Sequence, residues 1–411
     1  MKYLSWAAVL AIAIALGIIT VLYLTVYPLQ MSIYLFLAAL LLFVLVSLLL
    51  IWFRRTRLVV AIVLCLVLFI AGYSIMTSVV LSRDDPRAIP EITRAKSDPG
   101  LGHTAILYFT HGEPETYDPI GWINQFREFD EQKISFIPFL ARPLFIFQLR
   151  QHYLQVGKSE HRQMHLRMLR SLAEQYRMEG DNDTRFYISF LDDEPRPDAA
   201  AIQALNDGAS NIILSEVFLT DSNHTAEGKE LIEELNIEEY GVNLVDTGPL
   251  WDSSTLKSMF VERANANIGT TDKSKVGVLL VGHGQPDEWD VEWATETEQE
   301  TLFREQILDL LAADGYSGEL LSQAWMEFKE PKPAEKVEQF YRLGAEKVLF
   351  FSAAISADSI HSQYDVPALV HEAAVPEDFI MTNLGAWNDD ALVILAIKEK
   401  IDRAAQGVTP D

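Results

Sequence analysis

Along the 411 residues, hydrophobic positions fall into two unlike patterns. Residues 3–29, 31–53 and 58–81 are long apolar runs with no charged residue inside any of them. Each has the roughly 20 residues that a helix needs to cross a hydrocarbon core. A cleaved signal would show one short run, so the pattern predicts three transmembrane helices. After residue 103 the apolar runs shrink to about four to eight residues, rich in β-branched side chains and closed by glycine. They alternate with segments of helical spacing, which predicts an α/β fold built of doubly wound parallel sheets.

Residues 83–103 are polar and contain Pro86, Pro90 and Pro99, which reads as a linker from membrane to domain. The aromatic-rich stretch 134–147 is interrupted by Pro138 and Pro143 and reads as too broken for a helix. A buried strand and turn is the expectation there, with an apolar lip over a site or on the bilayer as the alternative. Residues 151–178 carry helical spacing, with Leu166, Leu169, Leu172 and Ala173 on one face. Strands are expected at 186–191, 212–219 and 242–245, and again at 276–282, 320–328 and 348–353. The organisation expected is a membrane anchor 1–82, a linker 83–103, and two similar α/β domains, 104–268 and 269–411.

The two domains are marked by a repeat. VGVLLVGHGQP at 276–286 repeats AILYFTHGEP at 105–114, with His283 where the earlier copy has His111. Ligands collect at the carboxyl ends of strands in an open α/β sheet, so both histidines are offered to a cleft. Glu194-Pro-Arg-Pro and Glu330-Pro-Lys-Pro each precede a Gly-Ala pair, and His224 and His361 follow those pairs at nearly equal distances. Each half thus has one histidine after its first strand and one after its last inner strand. One histidine at a strand end is commonly a turn residue, whereas a pair repeated in both halves points to chemistry. Two neutral imidazoles suit borderline divalent metals and accept protons near neutral pH. No G-x-S-x-G elbow, H-E-x-x-H, Walker or G-x-G-x-x-G motif is present.

Charge narrows the partners. The net charge is −25, and the only charges in residues 1–82 are Lys2, Arg54, Arg55 and Arg57, so the rest of the chain is more acidic still. That balance argues against nucleic acid as a partner, since phosphate contacts need clustered Lys and Arg. Asp287, Glu288 and Asp290 read as a solvated acidic face, or as a means of drawing cations toward His283. The single cysteine, Cys65, lies in an apolar run, so no disulfide or thiolate metal site is expected. Lys2 and the basic link 54–57 put the N-terminus on the cytoplasmic side; by parity the soluble part then lies outside the cytoplasm.

Taken together, these motifs resemble the class II tetrapyrrole chelatases, the ferrochelatases and the smaller sirohydrochlorin chelatases. GVLLVGHGQP is similar to the strand that delivers the chelatase histidine of that family. His361, Asp365 and Pro367 match its His-x-x-x-Asp-x-Pro pattern of sirohydrochlorin type. Residues 142–175 are similar to a ferrochelatase segment, with Tyr153, Val156, Gly157 and Ser159 fitting and Lys158 and Glu160 departing from it. The resemblance covers about residues 104–375. Ferrochelatases carry a glutamate where His361 stands, and many bacterial ones a tyrosine where His111 stands. What the resemblance implies is insertion of a divalent metal, Fe2+ first and Co2+ or Zn2+ as alternatives, into a tetrapyrrole, with no further cofactor. His283 and His361 would be catalytic, His283, His361 and His111 would contact the metal, and Tyr153, Trp251 and Trp325 would contact the ring. The alternatives are a sirohydrochlorin cobalto- or ferrochelatase, and a non-catalytic haem- or metal-binding module using His111 and His283 as axial ligands.

Overall fold

The computed structural model describes residues 2–53, 55–83, 88–131 and 137–407. It divides into two compact units, residues 1–87 with 116–157, and residues 88–115 with 158–411.

The first unit is helical. The helices α1 (Lys2–Thr25), α2 (Pro28–Trp52) and α3 (Arg55–Leu81) are long and apolar enough to cross a membrane. Small residues let α1 and α3 approach closely. A Cβ on Gly17 would stand 2.2 Å from the Phe69 carbonyl oxygen, and one on Gly72 would stand 2.3 Å from that of Ile14. Two further helices, α4 (Pro119–Glu131) and α5 (Arg142–Val156), complete this unit. Here the structure corrects the sequence reading. Residues 137–147 form no strand: a 3-10 turn at Phe139–Ala141 leads directly into α5, with Pro143 in its first turn, where the missing N–H is no loss. Residues 134–136 of that stretch lie outside the described residues. The helix expected over 151–178 is likewise two helices, because the chain turns at Gly157 with φ +92°.

The second unit holds two parallel four-stranded sheets. In chain order it contains β1 (His103–Thr110), α6 (His161–Met178), β2 (Arg185–Phe190), α7 (Pro197–Asn206), β3 (Ala209–Glu216), α8 (Asn223–Glu233), β4 (Asn243–Asp246) and α9 (Ser254–Asn267). Then come β5 (Val276–Gly282), α10 (Ala294–Ala313), β6 (Leu321–Trp325), α11 (Pro333–Arg342), β7 (Lys347–Ser352), α12 (Val366–His371), β8 (Ile380–Asn383) and α13 (Ala391–Ala405). Strand order is β2-β1-β3-β4 in one sheet and β6-β5-β7-β8 in the other. All pairings are parallel, so the two sheets have one topology, the doubly wound one expected from the sequence.

The repeat is carried into detail. Glu194–Pro195 and Glu330–Pro331 are both cis, and Pro197 and Pro333 each open the next helix. Phe190 N donates to Pro195 O and Trp325 N to Pro331 O, both at 2.9 Å. β1 and β5 are buried on both faces, as strands covered by helices on each side must be. One core lies between the sheets and joins Tyr108, Phe260, Leu280, Phe303, Phe351 and Ile397; separate cores back each sheet on its other face. Residues 88–102, read as part of a linker, are tied down: Arg94 Nη1 donates to Ala209 O at 2.6 Å, and Leu101 N to Gly208 O at 2.8 Å.

Candidate active site

The topology brings the histidines together in pairs. Because β1 and β3 are neighbours, as are β5 and β7, residues following them leave the sheet at one carboxyl edge, where the chain switches direction. His283 follows β5 and His361 begins a short π-helical turn, His361–Asp365, after β7; their ring centres are 5.4 Å apart and nearly perpendicular at 79°. π-turns are rare and are frequently found at functional sites. In the first half His111 and His224 repeat the arrangement at 4.9 Å and 77°.

The His283 turn is held from three directions. Its backbone N donates to Glu300 Oε1 on α10 at 2.7 Å, which explains Gly282: a Cβ there would meet that oxygen at 2.2 Å. Gly284, at φ +82°, lies against the Glu327 carbonyl, which a Cβ would meet at 2.5 Å. Arg304 Nη1 donates to Ala324 O at 2.7 Å, and its guanidinium lies 3.9 Å over the Trp325 ring. Gln285 Nε2 donates to Asp290 Oδ1 at 2.7 Å, and Lys329 pairs with the same carboxylate. Asp290, read as part of a solvated face, thus pins the loop after His283, while Asp287 is exposed.

Tautomers follow from these partners. A carbonyl oxygen only accepts, so Nδ1 of His283, 2.7 Å from Gly284 O, carries a proton and leaves the lone pair on Nε2. His111 Nδ1 meets Gly112 O at 2.9 Å and Asp192 Oδ2 at 3.2 Å. His361 Nδ1 donates to Asp365 Oδ2 at 2.7 Å, again leaving Nε2. Burial, and then the neighbouring His361, holds the His283 imidazole below its ordinary range. For His361 burial acts in the same direction, but the hydrogen bond and charge of Asp365, with Glu327 and Glu113, outweigh it and raise it to about 9. The pair is therefore polarised: His283 favours the neutral form and His361 the protonated one. His224 is pushed well down by burial and by His111 and His283, and its Nδ1 has no hydrogen-bond partner among the described residues.

Glu113 was not singled out in the sequence. Its carboxylate accepts from the Ile360 amide at 3.1 Å and from the Ser159 hydroxyl, joining the first half's THGEP turn to the backbone just before His361. The available signal was that Glu113 and Gln285 occupy the same place in the two copies of the motif.

The other expected residues are Tyr153, Trp251 and Trp325. Tyr153 belongs to α5 in the first unit, where it is buried against Tyr117 at 6.2 Å between ring centres. Trp251 packs against the central core. Trp325 ends β6, buried behind Gly284 and beneath Arg304. Phe328, with φ +55°, is the exposed aromatic side chain of that segment. Among the described residues no group of three or more His, Cys, Asp or Glu side chains is placed to hold a metal ion. The site offers pairs of imidazoles with carboxylates behind them.

No protein-family model matches the sequence, and no curated protein matches it. Solved structures do match. SirB from Bacillus subtilis with Fe3+ aligns over 74% of this chain and 97% of its own at 14% identity, with a TM-score of 0.49. The sirohydrochlorin chelatase SirB from Bacillus subtilis subspecies spizizenii, in complex with cobalt, aligns over 74% of this chain and 96% of its own at 12% identity and TM-score 0.46. A multi-domain protein from Deinococcus radiodurans, described as structurally similar to chelatases with two additional novel domains, aligns over 73% of this chain and 54% of its own at 12% identity and TM-score 0.43.

Proposed function

We propose that this chain is a membrane-anchored chelatase that inserts a divalent metal ion, iron first among the candidates, into a tetrapyrrole. The observation that supports the reading is the His283–His361 pair, in which both Nδ1 atoms are committed and both Nε2 atoms are left for chemistry. Insertion requires two pyrrole N–H protons to leave while the metal exchanges its ligands for ring nitrogens. His283, neutral near pH 7, has the lone pair to accept a proton or to hold the metal. His361, backed by Asp365, releases its proton when a cation competes for Nε2. Glu113, Glu327 and Asp365 supply negative charge toward the incoming ion.

Full-length protein in lipid vesicles, given Fe2+, Co2+ or Zn2+ with protoporphyrin or sirohydrochlorin, should develop the absorbance of the metallated ring. His283→Ala should abolish it. Absence of insertion into either ring, with folded protein, would overturn the proposal. The panel also separates the haem and sirohydrochlorin variants of the reading.

A further inference from the structure

The segment 116–157 folds with the three apolar helices, and the steps proposed above use none of its residues. We propose that its tip, Phe139, Leu140 and Leu144, is embedded in the acyl chains of the lipid bilayer, a fourth membrane contact that does not cross. The inference rests on α1, α2 and α3 lying in a bilayer, and the test below separates the two statements.

Depth comes from one hydrogen bond. The Tyr73 hydroxyl donates to the Leu140 carbonyl at 3.1 Å. Tyr73 precedes Leu81, the end of α3, by eight residues, which is about 12 Å along a helix. The 25-residue span Arg57–Leu81 is about 37 Å long and overhangs a hydrocarbon layer of about 30 Å by some 4 Å at each end. The tip therefore lies about 8 Å inside the apolar layer. Helical side chains lean toward the N-terminus, so the tyrosine ring reaches deeper and not back toward the surface.

A second measure agrees. At its far end α5 meets the end of α1, where Arg150 Nη1 donates to the carbonyls of Tyr23 and Val26, both at 2.8 Å. From Arg142 to Arg150 the helix rises about 12 Å, the same distance as from Tyr73 to the end of α3. Aromatic side chains collect at the upper level, as at a membrane interface: Tyr27 packs on Tyr117 at 6.2 Å.

The tip is chemically suited to lipid. Phe139, Leu140 and Leu144 are 42%, 44% and 55% exposed, although apolar. Backbone groups in hydrocarbon need internal partners, and Ala141 N donates to Pro138 O at 2.7 Å, Leu140 O receives Tyr73, and Pro143 has no N–H to satisfy. The adjoining charge in the chain, Arg142, is buried, paired with Asp130 and covered by the Phe126 ring at 5.2 Å. Asp130 is itself exposed, which limits the embedded part to the tip.

The test uses full-length protein with single cysteines in a Cys65→Ala background, labelled with a small fluorophore and reconstituted in phosphatidylcholine vesicles. Leu144→Cys reports the tip, Phe43→Cys an exposed position of α2, and Met178→Cys an exposed position of the second unit. Brominated acyl chains should quench the labels at 144 and 43 and spare 178, and aqueous iodide should do the reverse. Quenching at 43 with iodide quenching at 144 overturns the proposal alone, and so does protection of 144 from both agents, which would mean that protein covers the tip. Iodide quenching at 43 overturns the membrane reading and the proposal with it. Because substitutions can disturb folding, a photoactivatable lipid probe on the unmodified protein gives an independent answer: peptide 137–147 should be labelled along with α2, and labelling of α2 alone overturns the proposal.

Discussion

The carboxylate of Glu113 accepts a hydrogen bond from the backbone amide of Ile360 at 3.1 Å, so the turn that carries His111 also fixes the backbone that carries His361. Glu113→Ala would leave that amide and the Ser159 hydroxyl without their acceptor, at about 1–3 kcal/mol of stability. Glu113→Gln keeps an oxygen for the amide but removes a charge near His361, so it should cost less stability while still slowing insertion. Denaturant midpoints and insertion rates of the two variants check this. Wild-type stability in Glu113→Ala would show that the bond contributes nothing.

The Asp365 carboxylate sets the alkaline side of the pH response. His361 is raised to about 9 by that partner, with Glu327 and Glu113, against the effect of burial. Below that pH an entering metal must displace the Nδ1-anchored imidazolium's other proton, so metal capture should improve from pH 7 toward 9. Asp365→Asn keeps an oxygen for Nδ1–H and removes the charge, which should move the rising limb down by about one pH unit or more. The sign for stability is the reverse. The ion pair's contribution is fully present below about pH 6.5 and is lost as pH rises through about 9, so wild type and variant should converge in melting temperature at high pH. A pH–rate profile unmoved in Asp365→Asn would sink this account.

The sheet architecture and the histidine repeat were legible because they rest on local signals: β-branched runs bounded by glycine, and a phrase repeated once. Strand bounds fell within a few residues of those expected, the usual looseness of fraying ends. What escaped was set by tertiary contacts. Pro143 was read as a breaker, yet in the first turn of α5 proline is tolerated, and local sequence does not show which turn it will occupy. Glu300 and Arg304 sit in a run of acidic and polar residues on α10, indistinguishable in sequence from a solvated face; only the packing of α10 behind Gly282 buries them. The assignment of 116–157 to the helices of the first unit depends on apolar surface far away in the chain.

Buried neutral imidazoles should make the second unit acid-labile. His161, His165 and His224 are all pushed down by burial, His165 to about 3. The unfolded chain takes up protons at these residues near pH 6.5, so stability present above that pH is lost as pH falls, at up to about 1.4 kcal/mol per pH unit for each. His165→Gln gives up contacts to Tyr108 at 2.9 Å and Thr110 at 3.1 Å, so it should melt lower at pH 7.5. It should also lose less than wild type between pH 6.5 and 5. Thermal scans across that range decide it, and an identical slope would remove His165 from the cause.

Orientation is open to a direct test. Lys2 and the basic link 54–57 argue for a cytoplasmic N-terminus and an extracytoplasmic second unit. Arg54 itself lies outside the described residues. With Cys65→Ala as background, Ser97→Cys should react with an impermeant thiol reagent in intact cells and Thr56→Cys only after lysis. The opposite pattern would reverse the topology.

The two imidazole pairs are alike in geometry, at 5.4 and 4.9 Å, and differ in what stands behind the second histidine. His361 has Asp365 on Nδ1, which orients the ring and strengthens Nε2 as a ligand, whereas Nδ1 of His224 has no partner among the described residues. An oriented, carboxylate-backed imidazole holds a divalent ion better than an unsupported one, and removal of such a partner commonly costs about 10–100-fold. His361→Ala should therefore lower insertion by about 100-fold or more, and His224→Ala by far less, in protein of matched stability. His361→Glu supplies an anionic donor in place of the imidazole and should recover part of the rate with a shallower fall toward acid. A carboxylate is ionised from about pH 5 upward, so only His283 would still need to lose a proton. Insertion rates and their pH profiles for the three variants check the argument. Equal losses from the two alanine variants would show that the pairs are equivalent and that Asp365 does not select the working one.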